Sequence, residues 1–316
     1  MNIPVQQTLV IMGPLILVAL LGFICTKSKW FKRTQLDALT KFTFYISIPA
    51  FLFYQMANAN LSQYLSPSLY AAFYLPVLLC YFIAWLANYF FHTQLKKQSS
   101  ASAVFALSAS YSNTIIVGLP ILLTAFGEQV VAIVFMIVTF HSVMLFTVTS
   151  ALTSKQSGSN WLGFGFQSFL KQTFNNPVIL SILSGLVFNL LIIELPPVVS
   201  DSLLLIGKPA IPLALFILGA SMTFYQVKSE IKFITFATVL KLMLLPSLVF
   251  ICSRYVFALE PLVITVLVIL SASPTGVNAY LIAKGQGYHQ ETVAGTVVVT
   301  TLACIFTLPF WLWFLS

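Results

Sequence analysis

Acidic residues are scarce in this chain. Asp and Glu together number 7 against 15 Lys and Arg in 316 residues, and charged residues make up only 7%. No Asp or Glu falls near the middle of any long apolar run. Proton relays and pumps inside membranes are built on such carboxylates, so a cation exchanger is disfavoured, and a tightly held sodium ion lacks its best ligands. Carbonyl and Ser, Thr or Asn oxygens remain as a weaker set. Cysteine is sparse too. Cys25, Cys80, Cys252 and Cys304 stand singly in apolar runs with no CxxC spacing, which reads as small buried hydrophobes, without disulfide or metal roles. The three histidines, His92, His141 and His289, form no metal cluster and no nucleophile–base set, so an intramembrane enzyme is not supported and no cofactor is expected. The longest connection between runs, 153–176, is too short for an effector or catalytic domain, which argues against a sensor. The formal net charge of +8 has no basic face to gather on, and nucleic acid is not an expected partner.

What the chain has instead is apolar length. Hydrophobic residues make up 59% and mean hydropathy is +0.98, whereas a soluble domain is about one-quarter charged. A helix needs roughly 20 apolar residues to cross a bilayer. Ten such runs can be drawn, at 7–26, 37–57, 68–91, 101–124, 129–152, 177–194, 198–224, 230–257, 261–284 and 289–314. The first residues carry no basic stretch and no convincing cleavage site, so the first run is expected to stay as a span. Lys27, Lys29, Lys32, Arg33 and Lys41 flank the first connection. Lys96 and Lys97, Lys155 and Lys171, Lys228 and Lys232, and Lys284 mark the other odd connections, while Glu128, Glu194 and Glu260 mark even ones. Basic loops stay cytoplasmic, so both termini are expected outside.

The chain also repeats itself. Leu107 to Ser110 reads LSAS and so does Leu270 to Ser273, 163 positions on. The same shift brings Pro14 onto Pro177, Gly22 onto Gly185, Ile48-Pro49 onto Ile211-Pro212, Leu52-Phe53 onto Leu215-Phe216 and Glu128 onto Glu291. One shared offset across several span pairs predicts two halves, 1–153 and 164–316. Each half holds five spans, an odd number, so the second enters the membrane from the opposite side. Inverted repeats of this kind recur among secondary transporters.

Two runs are interrupted where an unbroken helix would be expected. The first carries Ser108, Ser110, Ser112, Asn113, Thr114, Gly118 and Pro120; the second carries Ser271, Ser273, Pro274, Thr275, Gly276 and Asn278. An unpaired backbone group in hydrocarbon costs several kcal/mol, so opened backbone survives there only inside protein or beside a wet cavity. Opened helices present a positive half-helix end to anions and a negative one to cations. Asn113 and Asn278 can donate and accept at once, serving substrate and freed backbone alike. The alternative is that these side chains only hold helices together. Pro49 and Pro212 are candidate hinges or kinks within spans two and seven, with Pro76 and Pro246 similar in spans three and eight.

Asn113-Thr114 with Gly118-Leu119-Pro120 resembles the NTxxxGxP signature of the auxin efflux carrier family, which includes plant PIN proteins and bacterial malate and malonate permeases. Ala272 to Gly276 with Asn278, Ala283 and Lys284 is similar to that family's second crossover helix, and Ile211 to Phe216 with Gly219 to its seventh-helix motif. The resemblance covers essentially the whole chain. It implies an all-α integral membrane fold related to bile-acid/sodium symporters and sodium/proton exchangers, with spans four and nine broken and crossed. Scaffold helices would lie at about 7–57 and 177–224, and a moving transport unit at about 68–152 and 230–316. The implied substrate is a small organic anion, with H+ or Na+ as a candidate coupling ion, and the implied assembly a homodimer in a bacterial inner membrane. Ser110, Ser112, Asn113, Thr114, Gly118, Pro120, Ser273, Pro274, Thr275, Gly276 and Asn278 are the candidate binding set. Another ion-coupled carrier on this fold, or a channel, is the competing expectation.

Within the spans the charged and titratable side chains are few. Lys208 lies some ten residues into span seven, near the midplane at 1.5 Å per residue. It is a candidate anion partner, a lysine bonded to carbonyls near Pro209 and Pro212, or a snorkelling one. Lys241 reads as structural or cavity-lining. His141 is a hydrogen-bonded core histidine or a proton relay.

Overall fold

The computed structural model describes residues 5–59, 66–91, 98–154, 176–224 and 230–315. Lys96, Lys97, Lys155, Lys171 and Lys228, on which much of the loop-charge reading rests, lie outside the described residues, as do His92 and most of the connection 153–176. Among the described residues the chain is helical, with one isolated antiparallel bridge between Ser112 and Thr275.

The first part runs α1 (Val5–Lys27), α2 (Arg33–Phe42), α3 (Ile48–Asn58), α4 (Pro67–Phe91), α5 (Gln98–Ser110), α6 (Leu119–Phe126) and α7 (Val131–Ser154). The second runs α8 (Pro177–Leu190), α9 (Pro197–Gly207), α10 (Ala210–Ser221), α11 (Ile231–Val239), α12 (Leu245–Ile251), α13 (Pro261–Ala272), α14 (Val277–Gln286) and α15 (Gln290–Leu315). Seven helical stretches among the described residues are long and apolar enough to cross a bilayer. The chain is therefore an all-α integral membrane protein. Fewer stretches qualify than the ten drawn from the sequence, and the reason is local. Span nine is cut at Ser273 to Gly276, leaving α13 too short; span six stops being helical after Leu190; and span four is cut at Tyr111 to Asn113, so that its second half runs on with span five as one stretch, Thr114–Thr153. Leu17, Phe82, Ile251 and Phe306 are exposed while Lys241 and His141 are buried, the distribution that lipid, as solvent, demands.

Three of the prolines share a local device that the sequence did not reveal, whereas Pro14, Pro76 and Pro309 lie inside continuous α-helices without it. Pro49, Pro120 and Pro246 each sit two residues after a five-residue π turn, at Thr43–Ser47, Thr114–Gly118 and Leu240–Leu244. A proline lacks the N–H and pushes its ring at the carbonyl four residues back. The wider π turn moves that carbonyl aside, so the helix continues instead of breaking. Pro212 lies in the first turn of α10, where a missing N–H costs nothing. Span seven is jointed just before it, at Lys208-Pro209.

Two helix pairs dominate the packing, α1 with α10 and α3 with α8. Gly22 lies against the backbone of Phe216, and Gly185 against the backbone of Phe53. These are the same contact moved by 163 positions. Glycine is needed at both, because a Cβ would meet a main-chain carbonyl with nowhere to go. Helices in lipid associate through such close approach of small residues. The remaining helices pack chiefly among themselves, α4 on α5, α5 on α7, α12 on α13, and α11 and α13 on α15.

Candidate functional site

α5 ends at Ser110 and α13 at Ala272, and the extended segments that follow pass each other antiparallel. Asn113 N–H donates to Pro274 O at 2.8 Å, and Gly276 N–H donates to Tyr111 O at 3.1 Å. The shift of 163 positions carries Asn113 to Gly276 and Tyr111 to Pro274, so each bond is the counterpart of the other. The hydroxyls obey the same relation. Thr275 Oγ1 donates to Ser108 O at 2.7 Å and Ser112 Oγ to Ser271 O at 3.4 Å.

Opening two helices at bilayer depth frees donors that must find partners. Ser112 N–H donates to His141 Nε2 at 3.0 Å, and Thr275 N–H to Thr300 Oγ1 at 3.0 Å. Those acceptors come from α7 and α15, the next long helix after each crossing segment. The freed carbonyls are met as well. The Lys241 ammonium, on the π turn Leu240–Leu244, donates to Ser271 O at 2.5 Å and Ser273 O at 2.6 Å. The Cys80 thiol lies 3.6 Å from Ala109 O. The crossing is thus a main-chain knot whose groups are nearly all paired inside protein.

Two side-chain atoms there are not. Asn113 Nδ2 and His141 Nδ1 are buried and have no hydrogen-bond partner among the described residues. Because His141 Nε2 accepts from a main-chain N–H, the neutral ring carries its proton on Nδ1. The ring is stacked 5.2 Å from Tyr111 and 6.3 Å from Tyr74. Its geometry is that of a cap on an opened helix. Replacing His141 with Phe keeps the stacking and removes the acceptor. The variant is expected to lose about 1–3 kcal/mol of stability, the cost of an orphaned buried donor, and Thr300→Val the same; thermal unfolding in detergent reads both.

The predicted residues divide into those brought together and those left apart. Ser112, Asn113, Pro274, Thr275 and Gly276 make the crossing directly. Gly118 lies where a Cβ would come within 2.8 Å of Ser273 Oγ, so the α6 end packs closely on the α13 end. Thr114 and Pro120 are buried in the turns that follow. Ser110 and Ser273 instead donate to carbonyls of their own helices, Ala106 O and Ile269 O. Asn278 is exposed, and its Nδ2 lies 3.4 Å from Tyr111 Oη, which pairs with Ser142 Oγ at 2.9 Å. Lys208 is exposed at the joint between α9 and α10, and no hydrogen bond among the described residues joins it to the crossing. The cation at the crossing is Lys241. Sequence reasoning read it as structural or cavity-lining, in keeping with these bonds, and did not single out Tyr111, Ser142 or Thr300. Lys241 did carry a signal, a lysine midway along an apolar run; Thr300 carried none. An open groove of about 600 Å³, lined by Tyr70, Tyr74, Phe140, Val143, Met144, Thr147 and Val148, lies beside α4 and α7. It contains none of the predicted residues and is almost wholly apolar.

The chain matches the family described as "Membrane transport protein" over residues 8–163 and 164–312. It is 24% identical over 292 residues to the "Putative malonate transporter" of Rhizobium meliloti, covering 91% of this chain and 89% of that one. It is also 24% identical over 306 residues to the "Uncharacterized transporter YfdV" of Escherichia coli, covering 95% of each. The "Auxin efflux carrier component 8" of Arabidopsis thaliana aligns at 24% identity over 352 residues, covering 93% of this chain and 95% of that one.

Proposed function

Because the chain belongs to the membrane transport protein family, we propose that it is a secondary transporter moving a small organic anion, a carboxylate such as malate, malonate or an auxin-like acid, by alternating access. The observation that carries this reading is Asn113. The residue is 6% exposed, its Nδ2 has no acceptor among the described residues, and it stands where the helical run Thr114–Phe126 begins. A carboxylate seated there accepts from Nδ2 and faces the positive end of that run. The second crossing segment offers a like end at Gly276, with the Asn278 amide beside it. Lys241 offsets the negative end of α13. The crossing as a whole therefore favours an anion, and two relatives bear the names of a malonate transporter and an auxin efflux carrier, whose namesakes are both carboxylates.

The packing supports an elevator-like division. The group of α1, α3, α8, α9 and α10 forms the scaffold, 7–57 and 177–224; the transport unit, 68–152 and 230–316, carries the crossing across the membrane. The paired glycine contacts and paired crossing bonds support an inverted repeat of 1–153 and 164–316. Lys208, exposed at the joint four residues before Pro212, serves as the counter-charge that the substrate meets on the scaffold. In the first half the matching Pro49 follows the π turn Thr43–Ser47, which serves there as the bending point of a continuous helix. Scaffold helices pair two copies into a dimer in a bacterial inner membrane with both termini outside.

In proteoliposomes, uptake of the carboxylate selected by a thermal-shift screen is expected to saturate and to accelerate when the same acid is loaded inside. Flux that rises linearly with concentration and ignores internal substrate would sink the carrier in favour of a channel.

A further inference from the structure

The main-chain and hydroxyl bonds of the crossing are symmetric, whereas the groups that meet the rest of the freed backbone differ between the halves, Lys241 most of all. Under the shift that relates the halves, the position matching Lys241 is Leu78, an exposed apolar residue. At the first break the freed carbonyls take the Thr275 hydroxyl and the Cys80 thiol. At the second they take a primary ammonium, 0% exposed, from a different span. Burying an ammonium at bilayer depth is costly, and no carboxylate among the described residues lies within ion-pair distance of it. The titratable groups within electrostatic reach are the thiols of Cys80 and Cys304 and the His141 ring. Two convergent carbonyls at the negative end of a half-helix are what a monovalent metal ion seeks.

We infer that the Lys241 ammonium is a tethered cation standing in a monovalent-ion site between the π turn Leu240–Leu244 and the α13 break, so that the protein needs no free metal ion to hold the crossing. For its part in transport this rests on the carrier reading above, since a tethered cation is never released and this site therefore couples transport to no ion gradient. For its structural content it does not. Lys241 is a positioning residue: it holds Ser271 O and Ser273 O, and through them the Pro274 carbonyl that receives Asn113 N–H.

The test uses the purified full chain in detergent, with no substrate. Thermal midpoints are measured in choline, sodium and propylammonium chlorides at matched ionic strength. The wild-type midpoint is expected to be the same in all three. Lys241→Ala is expected to unfold lower in choline and to recover by a few degrees in sodium or propylammonium, rising with the logarithm of concentration as mass action requires. A sodium-specific rise in the wild type, or a Lys241→Ala protein indifferent to both cations, overturns the inference. Lys241→Gln keeps two N–H donors without the charge and guards against a variant that fails to fold. Wild-type stability in Gln shows that charge is not needed and also overturns it; a loss relieved by sodium supports it. Failure of carboxylate flux leaves these midpoints untouched, so the two readings fail separately.

Discussion

Asn113→Ala is expected to remove carboxylate-dependent flux while the protein still reaches the membrane in wild-type amount. The side chain makes no hydrogen bond through Nδ2 to any described residue, so truncating it breaks nothing there. The bond holding the crossing comes from the Asn113 main chain, 2.8 Å from Pro274 O, and alanine keeps it. What is lost is a donor to the substrate. A hydrogen bond to a charged group contributes about 1.5–3 kcal/mol, which lowers affinity roughly 10- to 100-fold. Asn113→Asp should be worse still, since it replaces the donor with a like charge facing the anion. Binding measured by thermal shift separates this from misfolding: an unchanged midpoint without ligand, and a smaller rise than wild type at the same ligand concentration. Wild-type affinity in the alanine variant would remove Asn113 from the site and with it the main support for the location proposed.

The largest loss of stability is expected from the scaffold. A Cβ on Gly219 would run into the main chain of Ala19, and one on Gly22 into that of Phe216. Neither obstacle is the free end of a side chain, so α1 and α10 must separate along their contact. Overpacking of this kind costs about 1–3 kcal/mol per site and more when backbone has to move, and Gly219→Val adds two further carbons. Gly22→Val with Gly219→Val should leave little folded protein after extraction into detergent. Gly285→Ala is the control. A Cβ there meets nothing within 4 Å, and in helix α14 alanine gains up to about 1 kcal/mol over glycine. Size-exclusion chromatography and thermal unfolding read all three, and a double variant as stable as Gly285→Ala would mean that this contact does not hold the scaffold.

The family's crossing motif was legible because its chemistry is loud. Ser, Asn, Thr, Gly and Pro in the middle of apolar runs have a cost that only a tertiary arrangement offsets, and the matching LSAS segments said that the arrangement occurs twice. Membrane character followed from hydropathy alone. The roles of individual side chains did not. Ser110 and Ser273 look like binding residues in the sequence, yet they turn back onto their own helices, a choice set by rotamer and not by residue type. Lys208 and Lys241 are both lysines midway along apolar runs. One is exposed at a helix joint and the other lies at the crossing.

By itself, then, the order of residues determined that this chain lies in a bilayer, that it contains two matching halves' worth of motif, and where its helices open. Only the tertiary structure decided which groups close the opened backbone, because the acceptors on α7 and α15 and the ammonium on the π turn lie some 25 to 30 positions away and no periodicity records that distance. Local backbone preference is written residue by residue. The pairing of freed donors and acceptors is a property of how helices come together, and lipid, which offers them no water, makes that pairing compulsory.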